Sequence, residues 1–226
     1  MEKQLTFEDV KNNPAVSAYL KKGNDLLGAM GYTEHGFAHA GKVAAKAAEL
    51  LFRLGYGERI AELAKIAGYL HDIGNCVNRH DHAQSGALIA FRILDQMGFE
   101  AEELADVVGA IGNHDEGTGT AVSPISAALI LADKSDVRRS RVRYKNRTAA
   151  KLSEDIHDRV NYAAQHADLV LDEEKKCLVL TLEIDTEISA VMEYFEIFLT
   201  RMAMCRNAAA FLELSFELNI NNIRLL

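Results

Sequence analysis

The chain has 226 residues, of which 49% are hydrophobic and 26% charged, a balance expected of one soluble globular domain with a full core, or of one domain with a small appendage. A formal net charge of −8 argues against a general nucleic-acid binder, which attracts phosphate with a basic surface. No run approaches the ~20 apolar residues of a membrane span and the amino terminus has no apolar signal segment, so no membrane is expected as a partner and the expected location is cytoplasmic. The three cysteines, Cys76, Cys177 and Cys205, are widely spaced, without the pairing of a disulfide framework or structural zinc site.

Two prolines, no tryptophan and many alanines at helical spacing point to a mainly α fold. Pro14 suits the first turn of a helix running to about Met30, and a second helix is expected from Gly36 to Leu54, with Val43, Ala47, Leu50, Leu51 and Leu54 turned inward. Gly55 and Gly57 stop it. The next helix carries Ile60, Leu63, Ala64, Ile66, Ala67 and Leu70 on one face and ends at His71-Asp72, just before Gly74. After a polar loop from Asn75 to Asp81, helices are predicted over His82–Met97, Ala101–Asn113 and Ser123–Asp133.

The pattern is again helical from Ser153 to His166 and then changes. Asp168–Asp172 and Cys177–Ile184 are strand-like, and the charged Glu173–Lys176 between them reads as a hairpin turn. Thr186 is the expected cap of a long helix from Glu187 to about Ala210, and Leu212–Leu218 alternates as a third strand. The expected architecture is a helical bundle over residues 1–166 with a small β-β-α-β appendage over 167–226. The appendage either caps the bundle or offers an edge for a homodimer.

Four His-Asp dipeptides occur, but only His71-Asp72 ends an apolar helical run. Adjacent side chains cannot share one face of a regular helix, yet at a helix end they can converge on one cation. A carboxylate delivered by a buried helix needs such a partner, because burying it unpaired is costly. His39, His71, Asp72, His82, His114 and Asp133 each lie near an end of a predicted helix, the arrangement by which a bundle points ligands into a common cleft. His80 competes with His82, and His82 is preferred because it opens a helix in which Gly86 lets a neighbour approach.

The stretches His39-Ala-Gly-Lys-Val43, Leu70-His-Asp-Ile-Gly74, His82-Ala-Gln-Ser-Gly-Ala87, Gly112-Asn-His114 and Leu131-Ala-Asp-Lys134 together resemble the HD-domain superfamily of metal-dependent phosphohydrolases over roughly residues 33–147. The resemblance implies an HD-type helical bundle in which His39, His71, Asp72 and Asp133 hold one metal. In the two-metal branch Asp72 bridges to a second ion held by His82 and His114. It implies iron, manganese, zinc, cobalt or nickel as cofactor without choosing among them. The reaction implied is hydrolysis of a phosphate ester or anhydride of a nucleotide or small phosphorylated metabolite by a metal-activated water, with Asp72 and His71 at the reacting centre.

Many relatives have lysine where this chain has Asn75. Arg79, Lys134, or Arg138 and Arg139 in the basic stretch up to Arg147 are the candidates to replace its charge beside substrate, with Asn75 as a neutral donor. That stretch reads equally as a solvated helix face. His35 is a candidate for substrate contact or proton relay, or else faces solvent, while His157 and His166 are expected at the surface. Asp115 and Glu116 precede a glycine-rich, mobile-looking loop and carry no assigned role. Two other readings stand beside the hydrolase: a di-iron oxygenase of the HD type, and a non-catalytic nucleotide-binding sensor.

Overall fold

The computed structural model describes residues 4–226. A short helix α1 (Phe7–Lys11) leads into α2 (Pro14–Ala29), where Asn13 caps the amino end by accepting from the Ala15 amide and Pro14 fills the first turn. Helices α3 (Phe37–Arg53) and α4 (Glu58–Leu70) form the most extensively packed helix pair. Their closeness depends on missing side-chain atoms: a Cβ on Gly68 would lie 2.8 Å from the Ala44 Cα. After a 3-10 turn, Ile73–Cys76, come α5 (His82–Met97), α6 (Ala101–Gly112) and α7 (Pro124–Lys134).

Helix α7 is the axis of the bundle. It packs on α3, α4 and α6, and every residue from Ile125 to Ala132 is buried, which explains an apolar sequence with no polar face. Ser123 caps it by accepting from the Ser126 amide. These helices agree with the sequence expectation to within about a residue at each end.

The tail departs in its details. In place of one helix to His166 there are two short ones, α8 (Ala149–Glu154) and α9 (Ile156–Ala163), because the Asp155 carboxylate accepts the amides of His157 and Asp158 and starts a new helix. Strand β1 (Ala164–Asp172) begins earlier than its apolar run suggests, since pairing with β2 (Cys177–Ile184) extends to Ala164 opposite Ile184. Thr186 is not a cap: Asp185 to Ser189 form turns, and helix α10 (Val191–Phe211) starts after Ala190.

Strand β3 (Ser215–Ile220) lies parallel to β2 across the α10 crossover, and β4 (Ile223–Arg224), which the sequence pattern did not announce, folds back on it. The two-residue turn is made by Asn221 and Asn222, both at positive φ, and the Asn221 side chain bonds the Ile184 amide and carbonyl. The sheet order is β1-β2-β3-β4. Leu178, Leu180, Leu182, Phe216, Leu218 and Ile220 are buried, and α10 packs on both β3 and α7, so the apolar residues of sheet and bundle form one continuous cluster. Lys46 and Arg53 of α3 donate to the Leu169 and Leu171 carbonyls of β1, which blunts that edge.

Gly74 is the tightest point near the end of α4. A Cβ there would meet the His82 carbonyl oxygen at 2.0 Å and the Gly86 nitrogen at 2.5 Å, both backbone atoms that cannot swing aside. Gly74→Ala is therefore expected to cost at least ~3 kcal/mol, at the upper end for overpacking, read as a lowered urea midpoint at unchanged slope.

Candidate metal centre

Six side chains from five different segments meet at one end of the bundle. His39 projects from the buried face of α3, His71 and Asp72 follow the last residue of α4, His82 opens α5, His114 follows α6, and Asp133 lies in the last turn of α7. His71 still has helical dihedrals, whereas Asp72 has φ −92° and ψ 4° and leads into the 3-10 turn. That change of path brings two neighbours in sequence to one point, with His71 Nε2 3.3 Å from Asp72 Oδ2.

All four imidazoles are oriented in the same way. Nδ1 of His71, His82 and His114 donates to the carbonyls of Gly68, Arg79 and Ile111 at 2.8, 3.0 and 2.6 Å, and Nδ1 of His39 donates to Asp136 Oδ2 at 2.7 Å. Each Nε2 therefore carries the lone pair and faces inward. Nε2 of His39 lies 3.2 Å from Nε2 of His71, and Nε2 of His82 lies 3.2 Å from Nε2 of His114. Two lone pairs at that distance repel unless a cation joins them.

The carboxylates complete the set. Asp133 Oδ1 is 3.2 Å from His39 Nε2 and 3.6 Å from His71 Nε2. Asp72 Oδ2, buried and without a hydrogen bond, faces His39 and His71, while its Oδ1 is 3.6 Å from His82 Nε2. Three triplets have ligand atoms within 4.8 Å of one another: His39 with His71 and Asp72, His71 with His114 and Asp133, and Asp72 with His82 and His114. The imidazole and carboxylate donors, turned inward, fit a divalent transition metal. His80 points into solvent against Asp81, so only His82 of the two joins the cluster.

Burial opposes charge on His71, Asp72, His82, His114 and Asp133, and the cluster answers it in part internally. For Asp72 the nearby His71 outweighs burial and holds the carboxyl well below its ordinary range; for Asp133, Lys134 does the same. Burial lowers His82 and His114, which are neutral at pH 7. Burial also opposes protonation of His71, but Asp72 and Asp133 prevail and push it up to about 10. Without a metal, the proton on His71 Nε2 is thus the cation between the facing nitrogens of His39 and His71.

Around this centre the residues expected to meet substrate divide into two groups. Asn75 is buried and donates to the Asp72 carbonyl and to Asp72 Oδ1, at 3.0 and 2.8 Å, so it holds the aspartate. Lys134 is buried between Asp133 Oδ2, at 2.7 Å, and Glu116, at 3.3 Å. Arg138 is engaged by Asp136 and Ser140, and Arg139 by the Tyr162 carbonyl and ring. The basic stretch is not a helix face: it forms two 3-10 turns, Arg139–Arg141 and Tyr144–Asn146, because its guanidinium groups bond main-chain carbonyls.

Arg79 and His35, by contrast, line a cavity of about 230 Å³ beside the centre. Arg79 Nη1 reaches 3.3 Å from His82 Nε2 and 3.7 Å from Asp72 Oδ1. His35 donates from Nδ1 to the Thr33 carbonyl, which leaves Nε2 as an acceptor, and burial together with Arg141 holds it neutral at pH 7. His157, expected at the surface, is exposed and lines the same cavity.

Sequence reasoning missed Asp136, Phe198 and Arg201, and it singled out Arg141 only as part of the basic stretch. Asp136 is three residues beyond Asp133, and that spacing was the one available signal; Asp136 orients His39 and is itself held by Arg138 and by Arg141. Phe198 and Arg201 come from α10 and line the cavity, with Arg201 Nε 2.5 Å from Glu116. Nothing in the local sequence of α10 marks them.

Two outcomes are expected. Below a pKa of about 10 the His71 proton must leave before metal enters, so affinity rises with pH and binding near pH 7 releases about one proton, measured by calorimetric titration in buffers of different ionisation enthalpy. Asp136→Asn, which removes the carboxylate behind His39, is expected to weaken metal binding about 10- to 100-fold in the same titration.

Comparison with known proteins agrees with this geometry. The family model described as "HD domain" matches residues 36–156, more than half of the chain. The chain is also 29% identical over 177 residues to the uncharacterized protein MJ1020 of Methanocaldococcus jannaschii, a match that covers 68% of this chain and 66% of that protein, just under two thirds of its length. All six residues of the centre lie within that matched span, and the chain belongs to the HD-domain superfamily of metal-dependent phosphohydrolases.

Proposed function

We propose that the protein is a phosphohydrolase with two divalent ions, acting on a phosphate ester or anhydride of a nucleotide or other small phosphorylated metabolite. The observation that carries this reading is the pair of facing imidazole couples, His39 with His71 and His82 with His114, with the Asp72 carboxylate turned one oxygen to each. His39, His71, Asp72 and Asp133 would hold one ion, and Asp72, His82 and His114 the other. Such ions, when bound, offset phosphate charge and acidify water into a nucleophile near neutral pH.

The rest of the work falls to the chain. Arg79 stands at the junction of centre and cavity, where its guanidinium can pair with phosphate oxygens. His35 Nε2 is positioned on the cavity wall to accept a proton from water or substrate. Lys134, with Asp133 and Glu116, fixes a buried charge balance instead of contacting substrate; burial would lower it, but Asp133 holds it protonated above its ordinary value. The cavity is smaller than the ~300–1,000 Å³ of pockets that engulf drug-sized ligands, which favours a small substrate.

The test is metal analysis followed by phosphate release from a panel of nucleotides and small phosphate esters, with the protein loaded in turn with manganese, iron, cobalt, nickel or zinc. About two equivalents of metal are expected, falling to about one in the double variant His82→Ala, His114→Ala, with turnover lost in Asp72→Ala. Arg79→Ala is expected to lower kcat/KM about 10- to 100-fold, chiefly through KM. Oxygen consumption by the iron form without phosphate release would replace this reading with the oxygenase, and metal-free protein under every loading condition would leave the sensor.

A further inference from the structure

The cavity beside the metal centre has a second chemical character that the hydrolase reading does not use. Along with Arg79, which touches the centre, it is lined by Asp158 and Asn161 of α9, a helix that contributes nothing to the His and Asp cluster. Asp158 is 2% exposed. Its Oδ2 accepts from Asn146 Nδ2 at 2.6 Å, whereas its Oδ1 is buried with no hydrogen-bond partner. No cation pairs with it among the described residues.

A buried carboxylate oxygen without a donor is costly, and a folded protein keeps one where something else supplies the donor. Burial raises the Asp158 carboxyl above its ordinary value, in keeping with that deficit. Arg201, which α10 brings to the cavity, is already engaged by Glu116. Phe198 of the same helix adds an apolar side chain to the lining.

We propose that this cavity selects substrates with two unlike ends: a phosphate that lies by Arg79 at the metal centre, and a hydrogen-bond-donating head, hydroxyl or ammonium, that is received by Asp158. Asp158 is then a specificity-determining residue. The inference rests on the phosphohydrolase reading for the identity of the anionic end, but the recognition of the donor stands on Asp158 alone. A cavity of about 230 Å³ leaves room for one such compact molecule and none for a polymer.

Phosphonates separate binding from turnover, because no phosphoesterase cleaves their carbon–phosphorus bond. Propyl, hydroxypropyl and aminopropyl phosphonate are titrated calorimetrically, without oxygen, into the metal-loaded full chain and into the Asp158→Asn and Asp158→Ala variants. The wild type is expected to bind a donor-bearing ligand about 10- to 100-fold more tightly than the propyl ligand, the range of a hydrogen bond to a charged group. Preference for the aminopropyl ligand alone identifies an ammonium head, and equal preference for both identifies a hydroxyl-type donor.

In Asp158→Asn the ratio of affinities is expected to fall about tenfold for the ammonium ligand, and in Asp158→Ala to approach one for both. Equal binding of all three ligands by the wild type, or no binding of any, overturns the proposal whether or not the variants fold. So does a ratio that survives in both variants. If the corresponding phosphate esters release no phosphate with any metal while the discrimination is present, the hydrolase reading fails and the assignment of Asp158 stands.

Discussion

Four imidazoles that all spend Nδ1 on an oxygen have only lone pairs left to present to one another, and here those lone pairs meet two by two at 3.2 Å. Such an arrangement is unfavourable by itself and becomes favourable around a cation, so the whole end of the bundle is organised for a positive charge at its centre. The two carboxylates follow from the same need. His71, carrying a proton, can meet it in part, because Asp72 and Asp133 push its pKa far above that of a free imidazole despite full burial.

The architecture serves that constraint by letting backbones approach closely. Gly68 allows α3 and α4 to pack against each other, and Gly74 and Gly86 allow the turn after α4 to lie against the start of α5, where His82 begins. Asn75 and Asp136 then fix the rotamers, the first by holding Asp72 and the second by holding His39. Arg138 and Arg141 brace Asp136, so a stretch that looks in sequence like a loose basic patch is a set of struts behind the centre.

The sheet and α10 belong to the same argument. Helix α10 lies between α7 and β3 and buries Tyr194, Phe198, Met202, Cys205 and Ala209 there, while Met192, Leu199 and Phe211 stay exposed. Through Arg201, Glu116 and Lys134 it joins a chain of charges that ends on Asp133. The carboxyl-terminal unit thereby supplies both a wall of the cavity and a brace for a centre built by distant helices. Burial opposes the charge on Glu116, yet Lys134 and Arg201 bring its pKa down to about 2, which keeps that chain ionised at neutral pH.

Helix positions, the family and the six inward residues were legible in the linear chain, because helical periodicity, caps and glycine breaks are local and the His and Asp spacings occur at helix ends. His82 over His80 was likewise legible from the helix that His82 opens. Tertiary structure alone decided the rest, since those features depend on which distant side chain takes each charge. Asn75 and Lys134 are turned to Asp72 and Asp133, because a buried carboxylate draws the nearest donor. Arg201 and Asp158 reach the cavity only through the packing of α9 and α10, and no local pattern encodes a contact made by a helix folded back from the far end of the chain. The break at Asp155 has the same origin, since side-chain capping there overrode a helical pattern that the segment, taken alone, would have extended, and α10 begins only at Val191, after the turns of Asp185 to Ser189.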